Sequence, residues 1–278
     1  MDEKGLGRWL QQARKKAGYT QQQLCQKSGL SYSTLAKIER GAIKSPSIFT
    51  IQQIAAALDT SVDVLLGGHT AANIAKKQSK NGISFVYFDI NGCLVRFFHR
   101  AFTKVAADTG APSDIVESTF WHYNDAVCRG DMSLEEFNTV LARCFEVDTF
   151  DWASYYLEAI DSINETAELV RWAAEHYQIG LLSNIMPGLI PAMRTTGLIP
   201  DVAYDSIVDS SVVKAIKPEP QIYEIATKQA GCDPSQILLM DDSRANLMAA
   251  EKAGWHVLWF DDYMPAESVQ RVRETLAF

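Results

Sequence analysis

The chain has no C-x-x-C pair, no long apolar run and no basic excess. Its five cysteines, Cys25, Cys93, Cys128, Cys144 and Cys232, are scattered singly through 278 residues. That pattern excludes a disulfide framework and a cysteine-ligated zinc site, and it leaves most of them as small, buried, reduced apolar residues. No apolar stretch is long enough to span a bilayer, and the start, Met1-Asp2-Glu3-Lys4, is polar and acidic. Neither a membrane partner nor a signal peptide is expected, so the reading is cytoplasmic. The formal charge of −8 is unevenly placed: up to Leu66 nine Lys/Arg stand against five Asp/Glu, a net +4, which leaves −12 to the rest. The two parts should therefore have different partners. With 47% hydrophobic residues the chain can bury a substantial core and is long enough for two domains, so disorder is not expected.

In the basic part, Leu6, Trp9, Leu10, Ala13 and Ala17 recur at helical spacing and Gly18 supplies a stop. Thr20 can cap a second helix from Gln21 to about Lys27. Ser28-Gly29 then offers a tight turn, Ser31 opens a third helix with Leu35 and Ile38 on its buried side, and Arg40-Gly41 end it. Ile48, Ile51, Ile54, Ala55 and Leu58 make a fourth helix, and Val62, Leu65 and Leu66 a short fifth. The spacing predicts an all-α bundle of five helices over residues 1–66.

The segment from Thr20 to Gly41, T-Q-Q-Q-L-C-Q-K-S-G-L-S-Y-S-T-L-A-K-I-E-R-G, resembles the helix-turn-helix of the phage repressor and Cro family. The resemblance implies that the third helix enters the major groove of double-stranded DNA. Carried over by position, Gln21, Ser31, Tyr32, Ser33 and Thr34 become candidate DNA contacts, with Lys37, Arg40 and Lys44 on phosphates. Arg14 and Glu39 fall where the family places a structural ion pair. A module of charge +4 is only modestly basic, so a homodimer on a palindromic site is the natural arrangement. The alternative is a helical bundle used for protein contact.

Residues 67–82 have the small, polar composition of a linker. From residue 83 to 278, strand-like runs at Ile83 to Phe88, Ile179 to Leu182, Ser206 to Val208, Ile237 to Met240 and His256 to Phe260 alternate with helical ones. The alternation predicts an α/β fold, a parallel Rossmann-like sheet wrapped by helices. Residues 97–161 break the rhythm with aromatic-rich helical segments, which reads as an inserted helical cap. Ligands of such sheets gather beyond the carboxyl ends of the strands. There, Phe88 leads to Asp89, Leu182 to Ser183-Asn184 and Met240 to Asp241-Asp242, while Lys217 in K-P-E-P can supply a cation.

Together, F-D-I-N-G at Phe88, L-S-N at Leu182, K-P-E-P-Q-I-Y at Lys217 and M-D-D-S-R-A-N at Met240 resemble the haloacid dehalogenase superfamily. Its glucose-1-phosphatase-like members and the amino-terminal phosphatase domain of soluble epoxide hydrolases match best. The resemblance implies that Asp89 is a nucleophile, that Ser183 and Lys217 hold the phosphoryl group with Asn184 beside them, and that Lys214 is a lesser substitute for Lys217. It also implies Mg2+ on Asp89, the Asn91 main-chain carbonyl and Asp242, with Asp241 nearby and Asn246 orienting the group. Without that company, Asp241-Asp242 would read as caps of the following helix. The departure is Asn91, where family phosphatases carry an acid/base aspartate. An amide donates a hydrogen bond but transfers no proton, and losing a general acid or base typically costs about 10²–10⁴ in rate. Cys93 reads as a packing residue.

Three functions fit. One is a DNA-binding transcriptional regulator whose larger domain binds a phosphorylated small molecule or mediates dimerisation, catalytically impaired by Asn91. Another is an active magnesium-dependent phosphatase carrying a DNA-binding domain. In the third, Trp121, Tyr123, Trp152, Tyr155 and Tyr156 form a protein-binding surface instead of packing inside the cap.

Overall fold

A computed structural model of the chain describes residues 5–43, 46–58 and 76–278. They fall into two units, residues 1–74 and 75–278. The smaller holds α1 (Gly5–Lys16), α2 (Gln21–Ser28), α3 (Tyr32–Glu39) and α4 (Ile48–Ala57). Thr20 and Gln23 form a reciprocal capping box at the start of α2, and the Ser31 side chain accepts from the Thr34 amide to start α3. Gly29 closes α2 at φ 72, a left-handed conformation that a side chain would strain. Leu10, Leu24, Leu35, Ile38, Ile51 and Ile54 form the core. The fifth helix expected at Val62, Leu65 and Leu66 lies outside the described residues, as does Lys44.

The larger unit is built on a five-stranded parallel sheet of order β3-β2-β1-β4-β5. Its strands are β1 (Phe85–Phe88), β2 (Gln178–Ser183), β3 (Ser206–Asp209), β4 (Ile237–Asp241) and β5 (His256–Trp259). Every residue of β1 and β4 is buried, as expected of central parallel strands covered on both faces. Alternation divides them between two cores: Val86, Phe88, Leu238 and Met240 face one, Phe85, Tyr87, Ile237 and Leu239 the other. Ile83 does not join the ladder as the sequence predicts. It exchanges hydrogen bonds with Ser79, and Lys77 and Lys80 donate main-chain bonds to His176 and Ala277. Residues 76–82, within the stretch read as linker, thus belong to the larger unit.

Between β1 and β2 stand α5 (His99–Thr109), α6 (Ser113–Arg129), α7 (Leu134–Cys144) and α8 (Trp152–Ala159). Their aromatics pack inward: Phe120 lies 4.5 Å from Trp152, 5.1 Å from Phe102 and 5.4 Å from Phe98, ring centre to ring centre. Trp152 and Tyr156 are buried, whereas Trp121 is exposed. The sheet is flanked by α9 (Asn164–His176), α10 (Leu189–Thr195), α11 (Ser210–Val213), α12 (Pro220–Ala230), α13 (Arg244–Lys252) and α14 (Pro265–Thr275). Among the described residues no helix is long and apolar enough to cross a membrane.

Candidate functional site

Strand ends bring the polar residues of the sequence motifs together. The Asp89 amide donates to the Met240 carbonyl at 3.0 Å, so the ends of β1 and β4 set Asp89 beside Asp241. Into this corner reaches Lys217, buried, with its Nζ 3.0 Å from Asp89 Oδ1 and 2.5 Å from Asp241 Oδ2. Asn184, expected beside the phosphoryl-holding residues, clamps Lys217. Its Oδ1 accepts from the Lys217 amide and its Nδ2 donates to the Lys217 carbonyl, both at 2.7 Å. The lysine backbone is held in place by the end of β2. Lys214 is elsewhere, donating through Nζ to the Gly130 carbonyl of the cap.

Asp241 is saturated. Beyond Lys217 it accepts from the Ser243 amide at 2.8 Å and from Asn246 Nδ2 at 3.0 Å, and it is not part of the carboxylate and thiol group that follows. Ligand atoms of Asp89, Asp242 and Cys93 lie within 4.8 Å of one another. Asp242 is exposed as a residue, yet its carboxylate folds back over the backbone of Gly92. A Cβ there would meet Asp242 Oδ2 at 2.2 Å, and the glycine is at φ +77. Only glycine permits this approach. The Asn91 main-chain carbonyl accepts no hydrogen bond from the described residues. Cys93 is fully buried, and burial pushes its thiol well above the ordinary range, so it stays protonated and a poor ligand.

Electrostatics favour a further cation. Three carboxylates face one ammonium. Burial, opposed by Lys217 and reinforced by Asp241 and Asp242, pushes Asp89 up to about 7. Burial and then Asp241 push Asp242 up to about 6. Burial works against the Lys217 ammonium, but Asp241 and Asp89 overcome it and hold it charged. A hard divalent cation on Asp89, Asp242 and a carbonyl oxygen fits this donor set, since it would offset the surplus negative charge. Ser183 Oγ is fully buried and has no hydrogen-bond partner among the described residues. Such an orphan is costly unless a ligand oxygen meets it.

Asn91 has a partner that sequence reasoning missed. The Tyr156 hydroxyl, on α8 of the cap, donates to Asn91 Oδ1 at 2.6 Å. Nothing in the local sequence singles out Tyr156 for the site. Helical spacing of Trp152, Tyr156 and Ala159 does mark the buried face of α8. The Trp259 indole also donates to the Asp242 carbonyl at 2.8 Å, and this too was not foreseen.

On the smaller unit, Arg14 and Glu39 form the anticipated ion pair, buried, at 2.7 and 2.9 Å. Gln21 Nε2 joins it at 2.7 Å from Glu39 Oε2, so its side chain is held at the start of α2. Ser31, Ser33 and Thr34 share hydroxyl hydrogen bonds along the first turn of α3. Tyr32, at 55% exposure, stands out from it, and Lys37 and Arg40 are exposed on the same helix and at its end. The Arg40 guanidinium also donates to the Ala36 carbonyl.

The model of the family described as haloacid dehalogenase-like hydrolase matches residues 83–254, more than half of the chain. The chain belongs to that family. A helix-turn-helix family model matches residues 10–65, so a helix-turn-helix domain of Cro type is fused ahead of the haloacid dehalogenase-like domain. The latter is 27% identical over 95 residues to the pyrophosphatase PpaX of Bacillus velezensis, across 34% of this chain and 42% of the relative. The former is 39% identical over 61 residues to the transcriptional regulator SinR of Bacillus subtilis, across 22% of this chain and 55% of the relative. The chain thus spans about half the length of these curated relatives. Among solved structures, a haloacid dehalogenase family enzyme of Bacteroides thetaiotaomicron, crystallised with magnesium and inorganic phosphate, aligns with a TM-score of 0.58 at 19% identity. The alignment covers 65% of this chain and 95% of that one. A haloacid dehalogenase-like hydrolase of Porphyromonas gingivalis aligns at 0.56 and 22% identity, over 68% and 97%. These likenesses concern the fold.

Proposed function

We propose that the protein is a cytoplasmic, DNA-binding transcriptional regulator whose haloacid dehalogenase-like domain binds a phosphorylated ligand with Mg2+ and is catalytically impaired by Asn91. In this reading residues 1–66 are the DNA reader, residues 67–75 the connection, and residues 76–278 the ligand domain with its cap at about 97–161. The observation that supports it is the Tyr156–Asn91 hydrogen bond: an amide, held by the cap, stands at the residue where the family resemblance expects an acid.

Asp89 would present a carboxylate oxygen to phosphorus, Lys217 would neutralise the phosphoryl oxygens, and the unpartnered Ser183 hydroxyl would donate to one of them. Asn184 and Asp241 keep the Lys217 ammonium in place. Magnesium, held by Asp89, Asp242 and the Asn91 carbonyl, would supply positive charge against the same oxygens. An alkoxide leaving group needs a proton; the Asn91 amide has none to transfer, and the Tyr156 hydroxyl proton is engaged by Asn91 Oδ1. Binding without turnover follows. Aryl and acyl phosphates, which leave without protonation, are the exception open to slow hydrolysis.

On DNA, Gln21, Ser31, Tyr32, Ser33 and Thr34 would meet base edges and backbone while Lys37, Arg40 and Lys44 lie along phosphates, in a homodimer on two half-sites. A ligand controls such binding only as far as it favours one state of the protein over another. Phosphate release from a broad substrate panel, with and without Mg2+ and beside Asp89→Asn, tests the proposal. Release at background level supports it; efficient, Mg2+-dependent release abolished in the variant rejects it. The second reading, an active phosphatase carrying a DNA-binding domain, rests on the intact Asp89–Lys217–Asp241 constellation. It requires that efficient release.

A further inference from the structure

One edge of the larger unit is left bare. The sheet ends at β5 with no strand beyond it, and α13 packs against β5 on one face. Half of the exposed large apolar side chains of this unit, Met248, Trp259, Tyr263 and Met264, stand on α13, β5 and the turn that follows. Met248, 59% exposed, is the midpoint of α13, on the side turned away from the buried Leu247 and Ala250. Arg244 links the two elements, its guanidinium 5.4 Å from the centre of the Trp259 ring. An exposed apolar cluster of this kind marks a contact surface. As a template for another strand, β5 is poor: it has four residues, and Arg271 Nη2 already donates to the Trp259 carbonyl at 3.2 Å. The helix is the better surface.

Its charges point to the occupant. Arg244 is the first residue of α13 and Glu251 lies in its last turn, each at the end where the helix dipole disfavours its sign. Neither forms an ion pair among the described residues. Exchanged, the two charges would suit the helix better, so α13 alone does not account for their order. At 3.6 residues per turn they fall within about 20° of one another around the helix and within about 60° of Met248, a stripe about 10 Å long. Lys252 lies off it, on the groove shared with α12. If a second α13 is turned about a two-fold axis beside Met248, the helices run antiparallel. Arg244 of each copy then meets Glu251 of the other, and the two Met248 side chains pack at the centre. That is the self-complementarity an isologous contact needs, whereas a parallel copy would oppose like charges.

We infer that two copies of this chain pair through α13, antiparallel about Met248, with an Arg244–Glu251 ion pair on either side and Trp259, Tyr263 and Met264 at the margin. The inference gives a surface to the homodimer of the proposed reading, on which the choice of a second copy rests together with the charge pattern. A modestly basic helix-turn-helix unit gains from being joined to another, because once one half-site is held the second unit is locally concentrated. The interface uses none of the proposed DNA contacts.

Sedimentation equilibrium of the full chain, beside Met248→Asp, Arg244→Glu, Glu251→Arg and the double reversal, tests it. Wild type is expected at twice the chain mass, and Met248→Asp, which opposes two carboxylates at the axis, at the single mass. Because the two-fold repeats every change, each single reversal should weaken pairing at least about tenfold. The double reversal restores opposite charges and should return it to within about threefold of wild type. All three side chains are exposed, so circular dichroism should show unchanged folding, and Trp259 is left intact because its indole holds the Asp242 carbonyl. A monomeric wild type would overturn the inference; if it still retarded DNA carrying two half-sites, the DNA reading would stand without it. A dimer that responds to the variants as expected but binds no DNA would support the interface and reject the DNA reading. A dimer untouched by Met248→Asp pairs through another surface and would overturn the inference, and single reversals not rescued by the double would refute the Arg244–Glu251 contact.

Discussion

Replacing Lys217 with methionine removes the charge that holds the centre of the site together. Its side chain is 1% exposed, and its Nζ is 2.5 Å from Asp241 and 3.0 Å from Asp89, whose side chains are 0% and 8% exposed. Methionine fills much of the same volume, so the loss is chiefly that of a counter-charge for two buried carboxylates. Breaking a buried pair in this way costs about 3–5 kcal/mol. For a unit of this size each kcal/mol shifts the midpoint by about 2–4 °C, which sets the expected fall in Tm at roughly 6–20 °C. Five of the six tryptophans lie in residues 75–278, so thermal unfolding followed by tryptophan emission reports on this unit. The pH dependence has a definite sign. Asp89 is already pushed up to about 7 by burial, and loss of Lys217 raises it further. A carboxyl whose folded pKa exceeds its unfolded value binds more protons when folded, so stability rises as pH falls. Lys217→Met should therefore regain stability from pH 8 towards pH 5 more steeply than the wild type, and Mg2+ should restore part of it at pH 8. A Tm within about 2 °C of wild type at pH 8, or a pH profile parallel to it, would refute the charge argument.

Gly92→Ala would place a Cβ 2.2 Å from Asp242 Oδ2 at a backbone φ of +77. It is expected to abolish the rise in Tm on adding Mg2+, read by the same thermal scan. Arg14→Met leaves Glu39 buried without its partner, a loss of about 3–5 kcal/mol in the smaller unit measured by urea unfolding of helical circular dichroism. Glu39 is held below the ordinary range by Arg14 and Gln21 against the cost of burial. Its contribution is thus present above the unfolded pKa near 4.5 and lost as pH falls through the lower folded value, an acid transition that the variant should lack. Tyr32→Ala removes a 55% exposed side chain from α3 and should leave folding intact. It should weaken specific over non-specific DNA binding by about 1–3 kcal/mol in a gel-shift titration, if Tyr32 reads a base.

The parallel sheet was legible because its central strands are short apolar runs bounded by turn residues, and because each run ends on a residue that could do chemistry. Asp89, Ser183 and Asp241 are found at those ends, on β1, β2 and β4. The amino-terminal helices were legible through their caps: Thr20, Gly29 and Ser31 act locally, within four residues of the groups they satisfy. What escaped the sequence depends on long-range contact. Tyr156 and Asn91 are 65 residues apart, Trp259 and Asp242 are 17 apart, and Asn184 and Lys217 are 33 apart. No periodicity couples such pairs. Ile83 was read into β1 on hydrophobicity alone, which cannot register that Ser79 binds its main chain first. Asp241 and Asp242 look interchangeable as neighbouring acids. The alternation of the chain at the end of β4 sends one to Lys217 and the other over Gly92.

Hydrolysis of phenyl phosphate and of an alkyl phosphate by wild type and Asn91→Asp, side by side in Mg2+, bears most directly on the central claim that a retained site has lost its proton donor. The account predicts near-background rates on the alkyl substrate for wild type and a gain of about 10²-fold or more in the variant, the ordinary worth of a general acid. Wild type hydrolysing the alkyl phosphate as fast as Asn91→Asp, with both folded, would contradict it.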